Sequence, residues 1–113
     1  MLTIYHNPRC SKSRQTLELI QANSKKSIKV IEYLKEPMTK ADIDKILSLL
    51  CCSPIEMMRV KEAEFKEQNL KSADDDTLIA AMVATPKLIE RPIVTDGTKA
   101  VIGRPPENAL ALC

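Results

Sequence analysis

The segment His6-Asn7-Pro8-Arg9-Cys10-Ser11-Lys12-Ser13-Arg14 lies between two different sequence patterns. The apolar run before it, residues 2–5, predicts a short strand. After it, Leu17 and Ile20 recur at helical spacing and predict a helix. Cys10 is therefore predicted at a strand-to-helix turn, where unpaired backbone N–H groups and the helix dipole favour a thiolate over a thiol.

Positive charge surrounds this cysteine in the sequence, because Arg9, Lys12 and Arg14 lie within four residues of it. Ser13 occupies the third position after Cys10, where dithiol oxidoreductases carry their second cysteine. The segment therefore predicts a single-thiol nucleophile. His6 is the one histidine of the chain; it could be a packed core residue, but its place four residues before the cysteine favours a role in tuning that thiol.

Composition limits the classes of protein to consider. A chain of 113 residues with 44% apolar residues suits one compact domain. Its net charge of +2 is too even for nucleic acid or an anionic membrane to be the main partner. No apolar run reaches the roughly 18 residues that span a bilayer. Met1 leads directly into the first strand without a signal-peptide pattern, so we expect a cytoplasmic protein, and its small size and even charge favour a monomer.

The four cysteines form neither a Cys-x-x-Cys pair nor a zinc-ligand spacing, so we expect no metal site. Cys51 and Cys52 end an apolar helical pattern and are expected to be buried as small apolar residues, as cysteines often are in a reducing compartment. No role is assigned to Cys113, the last residue. The acidic residues 74–76 are interpreted as a helix cap rather than as metal ligands.

The order of the patterns predicts the fold. Residues 25–33 indicate a second strand, expected to be buried on both faces, and Thr39 with Asp42 indicates a capped helix. A helical insert of about residues 53–86 follows, then a hairpin around Asp96-Gly97 and a closing helix. This β-α-β-α, insert, β-β-α order predicts an α/β protein with a thioredoxin-like fold, a mixed four-stranded sheet and a single domain over residues 1–113.

In that fold, the turn before the third strand carries a proline close to the reactive cysteine. Arg91-Pro92 occupies this place, and we predict a cis peptide bond there; an ordinary trans proline on an edge strand is the alternative. Arg91 and Arg104 both adjoin prolines at the limits of the hairpin. With Arg59, they predict bidentate recognition of an oxyanion; weak surface ion pairs are the alternative, above all for Arg59.

Three segments together resemble the glutaredoxin-dependent arsenate reductases, in particular their short bacterial members. They are Ile4-Tyr5-His6-Asn7-Pro8-Arg9-Cys10-Ser11-Lys12-Ser13-Arg14, Glu90-Arg91-Pro92-Ile93-Val94 and Ile102-Gly103-Arg104-Pro105-Pro106-Glu107. The stretch from Glu62 to Leu70 is similar to the insert of that family. The resemblance covers essentially the whole chain, in order.

The resemblance implies an enzyme of arsenic resistance that holds no bound cofactor. The Cys10 thiolate would attack arsenate, glutathione would be the co-substrate, and glutaredoxin would complete the reduction to arsenite. It further implies roles for residues around the thiol. Three arginines would bind the oxyanion, and three loop residues would keep Cys10 ionised or order the loop: Arg59, Arg91 and Arg104; His6, Asn7 and Ser13.

Two other functions stay open from the sequence. One is an Spx-like regulator that binds RNA polymerase, although such proteins use a Cys-x-x-Cys switch that Ser13 removes. The other is a general glutathione-linked thiol reductase that has no role in arsenic reduction.

Overall fold

A mixed four-stranded sheet forms the centre of the part of the chain that carries Cys10. The computed structural model describes residues 1–113 and contains β1 (Leu2–His6), β2 (Ile28–Glu32), β3 (Ile93–Thr95) and β4 (Ala100–Ile102) in the order β2-β1-β3-β4. β1 pairs in parallel with β2 and antiparallel with β3, and β3 pairs antiparallel with β4. The parallel pair is joined through α1 (Ser11–Asn23), which predicts the right-handed crossover of a β-α-β unit.

The element order confirms the predicted thioredoxin-like fold. After β2 the chain forms α2 (Lys40–Leu50), α3 (Ala63–Glu67) and α4 (Asp75–Ala84), with short 3₁₀ helices between them, and then the β3–β4 hairpin. The closing helix, Pro106–Leu112, is a 3₁₀ helix that begins with a proline at its first position. None of the helices is long and apolar enough to cross a membrane.

An aliphatic core lies between the sheet, α1 and the closing helix. Its members are buried and come from four separate elements: Leu2, Ile4, Ile20, Val94, Ala109 and Leu112. Each large aliphatic side chain contributes about 1.5–3 kcal/mol on burial, so this core fixes the end of β1 from which the Cys10 loop departs.

The prediction that the second strand is buried on both faces is wrong. β2 is an edge strand that pairs only with β1, and Val30 in its middle is 43% exposed. In the sequence, Ile28, Val30 and Ile31 indicate a buried strand. Apolar β-branched residues also favour an edge strand, however, and there they stabilise the sheet through pairing without being buried on both faces.

The chain forms two compact units, residues 1–36 with 91–113 and residues 37–90. The second unit contains α2 as well as the helices of the expected insert. A single domain with an insert at about residues 53–86 stays a prediction.

Capping explains where the helices of the second unit begin. Thr39 and Asp42 form the predicted capping box at the start of α2, and the Asp74 side chain accepts a hydrogen bond from the backbone N–H of Thr77 at the start of α4. The acidic run therefore caps a helix, as its sequence predicts.

The prediction that Cys51 and Cys52 are buried is wrong. α2 buries Ile43, Ile46 and Leu47, and Cys51 would follow on that face if the helix continued. Instead the helix ends at Leu50, and Cys51 adopts a left-handed conformation with φ of 55°. Cys51 is exposed and Cys52 half-buried as a result.

Candidate active site

The turn from β1 into α1 positions Cys10 at the N-cap of the helix. Its backbone N–H donates to the Asn7 carbonyl at 3.0 Å, and its own carbonyl accepts the first helical hydrogen bond from the N–H of Arg14, also at 3.0 Å. Cys10 is 8% exposed. The backbone N–H and the backbone carbonyl of Cys10 are therefore both held by hydrogen bonds, and its side chain lies next to the first free N–H groups of α1.

Asn7, Ser13 and His6 form a buried network inside this turn. The Ser13 hydroxyl accepts a hydrogen bond from the Asn7 backbone N–H at 3.0 Å and lies 2.7 Å from Nδ1 of His6. Oδ1 of Asn7 accepts from the N–H of Arg9 at 3.0 Å. Asn7 thus bonds through its side chain, N–H and carbonyl, which fixes the loop conformation from both sides of Cys10.

Burial lowers the pKa of His6 below its ordinary value; the Glu32 carboxylate opposes this shift, and the charge of Arg14 adds to it. The imidazole is consequently neutral near pH 7. Its hydrogen-bond partner is Ser13, so it acts on the cysteine turn through that hydroxyl.

Arg14 braces the outer side of the loop. Its Nη1 donates to the Pro8 carbonyl at 2.9 Å on the exposed surface. The guanidinium therefore ties the first turn of α1 to the segment that precedes Cys10.

Two arginines from the far end of the chain flank the thiol. Nη2 of Arg104 lies 4.0 Å from Sγ of Cys10. Nε of Arg91 is buried without a hydrogen-bond partner. The peptide bonds Arg91–Pro92 and Arg104–Pro105 are both cis; the sequence predicts the first from its place in the fold and makes no such prediction for the second.

Opposing influences set the pKa of Cys10. Burial is the largest of them and raises the pKa. The backbone N–H of Ser13, the guanidinium of Arg91 through hydrogen bonding and charge, and the backbone N–H of Lys12 together outweigh it, so the pKa lies below the ordinary value. The helix start thus acts in the direction that the sequence predicts, whereas the arginine that lowers the pKa is Arg91 and not one of the loop arginines, Arg9 and Arg14.

Two residues that sequence reasoning did not identify hold this arrangement together. A Cβ on Gly103 would lie 2.8 Å from Oγ1 of Thr16 and 2.9 Å from Cγ of Pro92. The Gly103 N–H donates to the Pro92 carbonyl at 2.8 Å, and Thr16, which is fully buried, donates to the Lys12 carbonyl at 2.8 Å. Gly103 therefore lets the chain before Arg104 approach α1 and Pro92 closely. The sequence signal was its rarity, since the chain has only two glycines.

Arg59 lies in the other unit, where two carboxylates surround it. Its Nη1 is 3.1 Å from Oε1 of Glu62, an ion pair without hydrogen-bond geometry, and its Nε is 3.7 Å from Oε1 of Glu90. Its charge is therefore balanced within residues 37–90, whereas Arg91 and Arg104 belong to the unit of Cys10.

The remaining candidates for chemistry are few. All four cysteines are free, and no group of three or more His, Cys, Asp or Glu side chains could hold a metal ion. The arrangement around Cys10 is that of a thiol with a lowered pKa beside two guanidinium groups, which suits attack on a centre that carries oxyanions.

Comparisons with known proteins agree with this geometry. An uncharacterized protein of Escherichia coli strain K12, YfgD, is 49% identical over 112 residues, which cover 96% of this chain and 93% of that protein. The arsenate reductase of Haemophilus influenzae is 42% identical and covers 96% of both chains. The structure of the arsenate reductase from Vibrio cholerae superposes with a TM-score of 0.92 at 43% identity and covers 99% of this chain and 97% of its own. The ArsC family model matches residues 5–112, and the chain belongs to the ArsC family.

Proposed function

We propose that this protein is an arsenate reductase that uses Cys10 as its nucleophile. The observation that carries the proposal is the meeting of a buried, activated thiol with Arg104 at 4.0 Å and with Arg91, whose Nε has no partner. Two relatives that are 42% and 43% identical to this chain along nearly their whole length are arsenate reductases.

In the first step, the Cys10 thiolate attacks the arsenic atom of arsenate. A sulfur–arsenic bond forms, one arsenic–oxygen bond breaks, and the oxygen leaves as hydroxide or, with a proton, as water. Arsenic is still pentavalent in this thiol–arsenate adduct.

Arg91 and Arg104 would bind the oxyanion and neutralise the charge that builds up during the attack. A guanidinium presents planar, paired donors that match a tetrahedral oxyanion better than an ammonium does. The unpartnered Nε of Arg91 supports this role, because a buried donor without a partner costs about 1–3 kcal/mol, which a bound oxyanion would recover. Arg59 would join them only by exchanging its two carboxylate partners for the oxyanion.

Glutathione then supplies the first external thiol. Its thiolate attacks the sulfur of Cys10, the sulfur–arsenic bond breaks, and arsenic leaves as trivalent arsenite with two electrons gained. Glutaredoxin attacks the glutathione sulfur of the resulting mixed disulfide and restores the Cys10 thiolate. An external donor is needed because Ser13 occupies the place of a resolving cysteine. His6, Asn7 and Ser13 would hold the loop and keep the thiol ionised throughout.

The setting of the proposal is the cytoplasm, with the protein working as a monomer that holds no bound cofactor. Four free cysteines suit a reducing compartment, where glutathione is maintained in its reduced form.

The test is arsenate-dependent consumption of NADPH in an assay coupled through glutathione, glutathione reductase and glutaredoxin. The Cys10→Ser variant should have no activity above the uncatalysed rate. A Cys51→Ser/Cys52→Ser/Cys113→Ser variant is the matched control and should keep the activity. Turnover by Cys10→Ser would rule out the mechanism.

One further comparison distinguishes the proposed arsenate reductase from a general glutathione-linked thiol reductase. The rates at which Cys10 reacts with oxidised glutathione and with arsenate plus glutathione can both be followed by intact mass. The proposal requires that arsenate accelerate the formation of the Cys10–glutathione disulfide.

A further inference from the structure

A cavity of about 230 Å³ opens beside the Cys10 loop, at the β1–β2 side of the sheet and away from the β3–β4 hairpin. The loop residues 6–9 line one wall, and Glu32, Leu34 and Lys35 line the other. Its place follows from the sheet, because β1 and β2 are parallel with His6 opposite Glu32, and ligands bind where the carboxyl ends of such strands meet. The oxyanion site described above uses none of the side chains on the second wall.

The second wall is held by a tight turn. The N–H groups of Lys35 and Glu36 both donate to the Glu32 carbonyl at 2.9 Å. Leu34 on this wall is 47% exposed. The cavity thus has a fixed rim and an apolar surface that is open to a ligand.

The charges of the cavity form a specific set. Arg9 and Lys35 are exposed cations, and Glu32 is the one carboxylate, 3.7 Å from Nζ of Lys35. Glutathione carries the inverse set near neutral pH, with two carboxylates, one ammonium group and a central thiol. Arsenate fits less well, because Glu32 would repel a multiply charged oxyanion that has no positive group to offer.

We propose that this cavity binds glutathione, with Arg9 and Lys35 on its carboxylates, Glu32 on its ammonium group and its cysteinyl portion against Leu34. The inference rests on the proposed function and assigns the position of the second thiol. The cavity is lined by the loop residues that directly precede Cys10, so the proposal requires the sulfur of the bound tripeptide to reach beyond the cavity to the Cys10 sulfur. The volume is below the roughly 300–1,000 Å³ of sites that enclose a whole ligand, so part of the tripeptide would stay in solvent.

Binding can be measured without turnover. In ¹⁵N-labelled Cys10→Ser protein, titration with S-methylglutathione should shift the amide signals of residues 6–9 and 32–35. The Arg9→Ala/Lys35→Ala variant should bind it about three- to tenfold more weakly, since each exposed ion pair contributes only modestly. The Lys25→Ala/Lys29→Ala variant removes two exposed charges elsewhere in the same unit and should bind normally.

Competition tests whether the cavity recognises the two carboxylates of glutathione or any anion. Sulfate at matched ionic strength should not displace S-methylglutathione, and the diethyl ester, which lacks both carboxylate charges, should bind poorly. Shifts confined to residues around Arg91 and Arg104, or equal affinity in both double variants, would overturn the proposal.

The same variants separate the two claims in steady-state kinetics. Arg9→Ala/Lys35→Ala should raise the KM for glutathione and leave the KM for arsenate unchanged. Binding at the cavity without arsenate reduction would refute the proposed function and leave the glutathione site standing. Arsenate reduction with no effect of the cavity variants would do the reverse.

Discussion

Nη2 of Arg104 lies 4.0 Å from Sγ of Cys10, although 94 residues separate them in the chain. The contact depends on the end of β4, where Gly103 packs against Thr16 and Pro92 without a side chain of its own. Asn108 supports the same turn from the closing helix, since its Nδ2 donates to the carbonyls of Ile102 and Arg104 at 3.2 and 3.1 Å. The site is therefore assembled by tertiary packing around a glycine.

The pKa of Cys10 should depend measurably on Arg91. The rate of alkylation by iodoacetamide, followed against pH, should give an apparent pKa below the roughly 8.5 of a free cysteine. Arg91→Ala removes a hydrogen bond and a positive charge from the thiolate, so its profile should move to higher pH. Lys29→Ala, at an exposed position on β2, is the control and should titrate like wild type. Identical profiles for Arg91→Ala and wild type would show that the arginine does not ionise the thiol.

Arg104 should matter for its planar fork as well as for its charge. Arg104→Lys keeps the cation but loses paired donation to an oxyanion, so kcat/KM for arsenate should fall by about 10²-fold, the usual effect of one transition-state donor. The alkylation rate of Cys10 by a neutral reagent should change far less. A lysine variant with full arsenate activity would contradict the proposed oxyanion contact.

Gly103→Ala should destabilise the protein and disturb the site together. The new Cβ would lie 2.8–2.9 Å from atoms of Thr16 and Pro92, and overpacking of this kind costs about 1–3 kcal/mol. The free energy of unfolding in urea measures this cost. Thr16→Ala removes two of the three contacted atoms. Gly103→Ala should therefore lower the free energy of unfolding less in the Thr16→Ala protein than in the wild-type protein. Strict additivity of the two substitutions would show that they do not interact.

Stability should fall as the pH drops below about 6.5, because the folded state resists protonation of His6. The pKa of His6 is lowered on folding, so in this range the unfolded chain binds more protons than the folded chain, and acid favours unfolding. The effect is absent above pH 6.5 and complete once the pH is below the folded pKa. The midpoint of urea unfolding, measured between pH 7.5 and 5, should show this slope, and His6→Asn should flatten it. A slope unchanged in His6→Asn would assign the effect to other groups.

The sequence predicts the fold and the nucleophile from local signals. Capping residues such as Thr39 and Asp74, the Asp96-Gly97 turn and the change of periodicity at Cys10 are local, and the structure has each element in the expected order. Cys51 shows where local reading fails, because its exposure depends on a helix that ends one residue earlier than its apolar pattern.

The parts of the site that depend on distant packing could not be predicted. Gly103 reads as a strand end in the sequence, and only the approach of α1 and Pro92 explains why no side chain fits there. Arg59 lacks the adjacent proline of the other two arginines, and the sequence favours an ion pair there most, but its partners Glu62 and Glu90 come together with it only in the folded unit. Charge and spacing alone therefore do not distinguish an arginine that is free to bind an oxyanion from one that is already paired.

The most direct test of the account is a single-turnover reaction of the protein with arsenate and glutathione, without glutaredoxin. Intact mass reports glutathione on Cys10, and arsenic speciation reports arsenite in the same sample. The account predicts one arsenite for each Cys10–glutathione disulfide, and neither product in the Cys10→Ser variant. Arsenite formed without that disulfide, or the disulfide formed equally fast without arsenate, would contradict it.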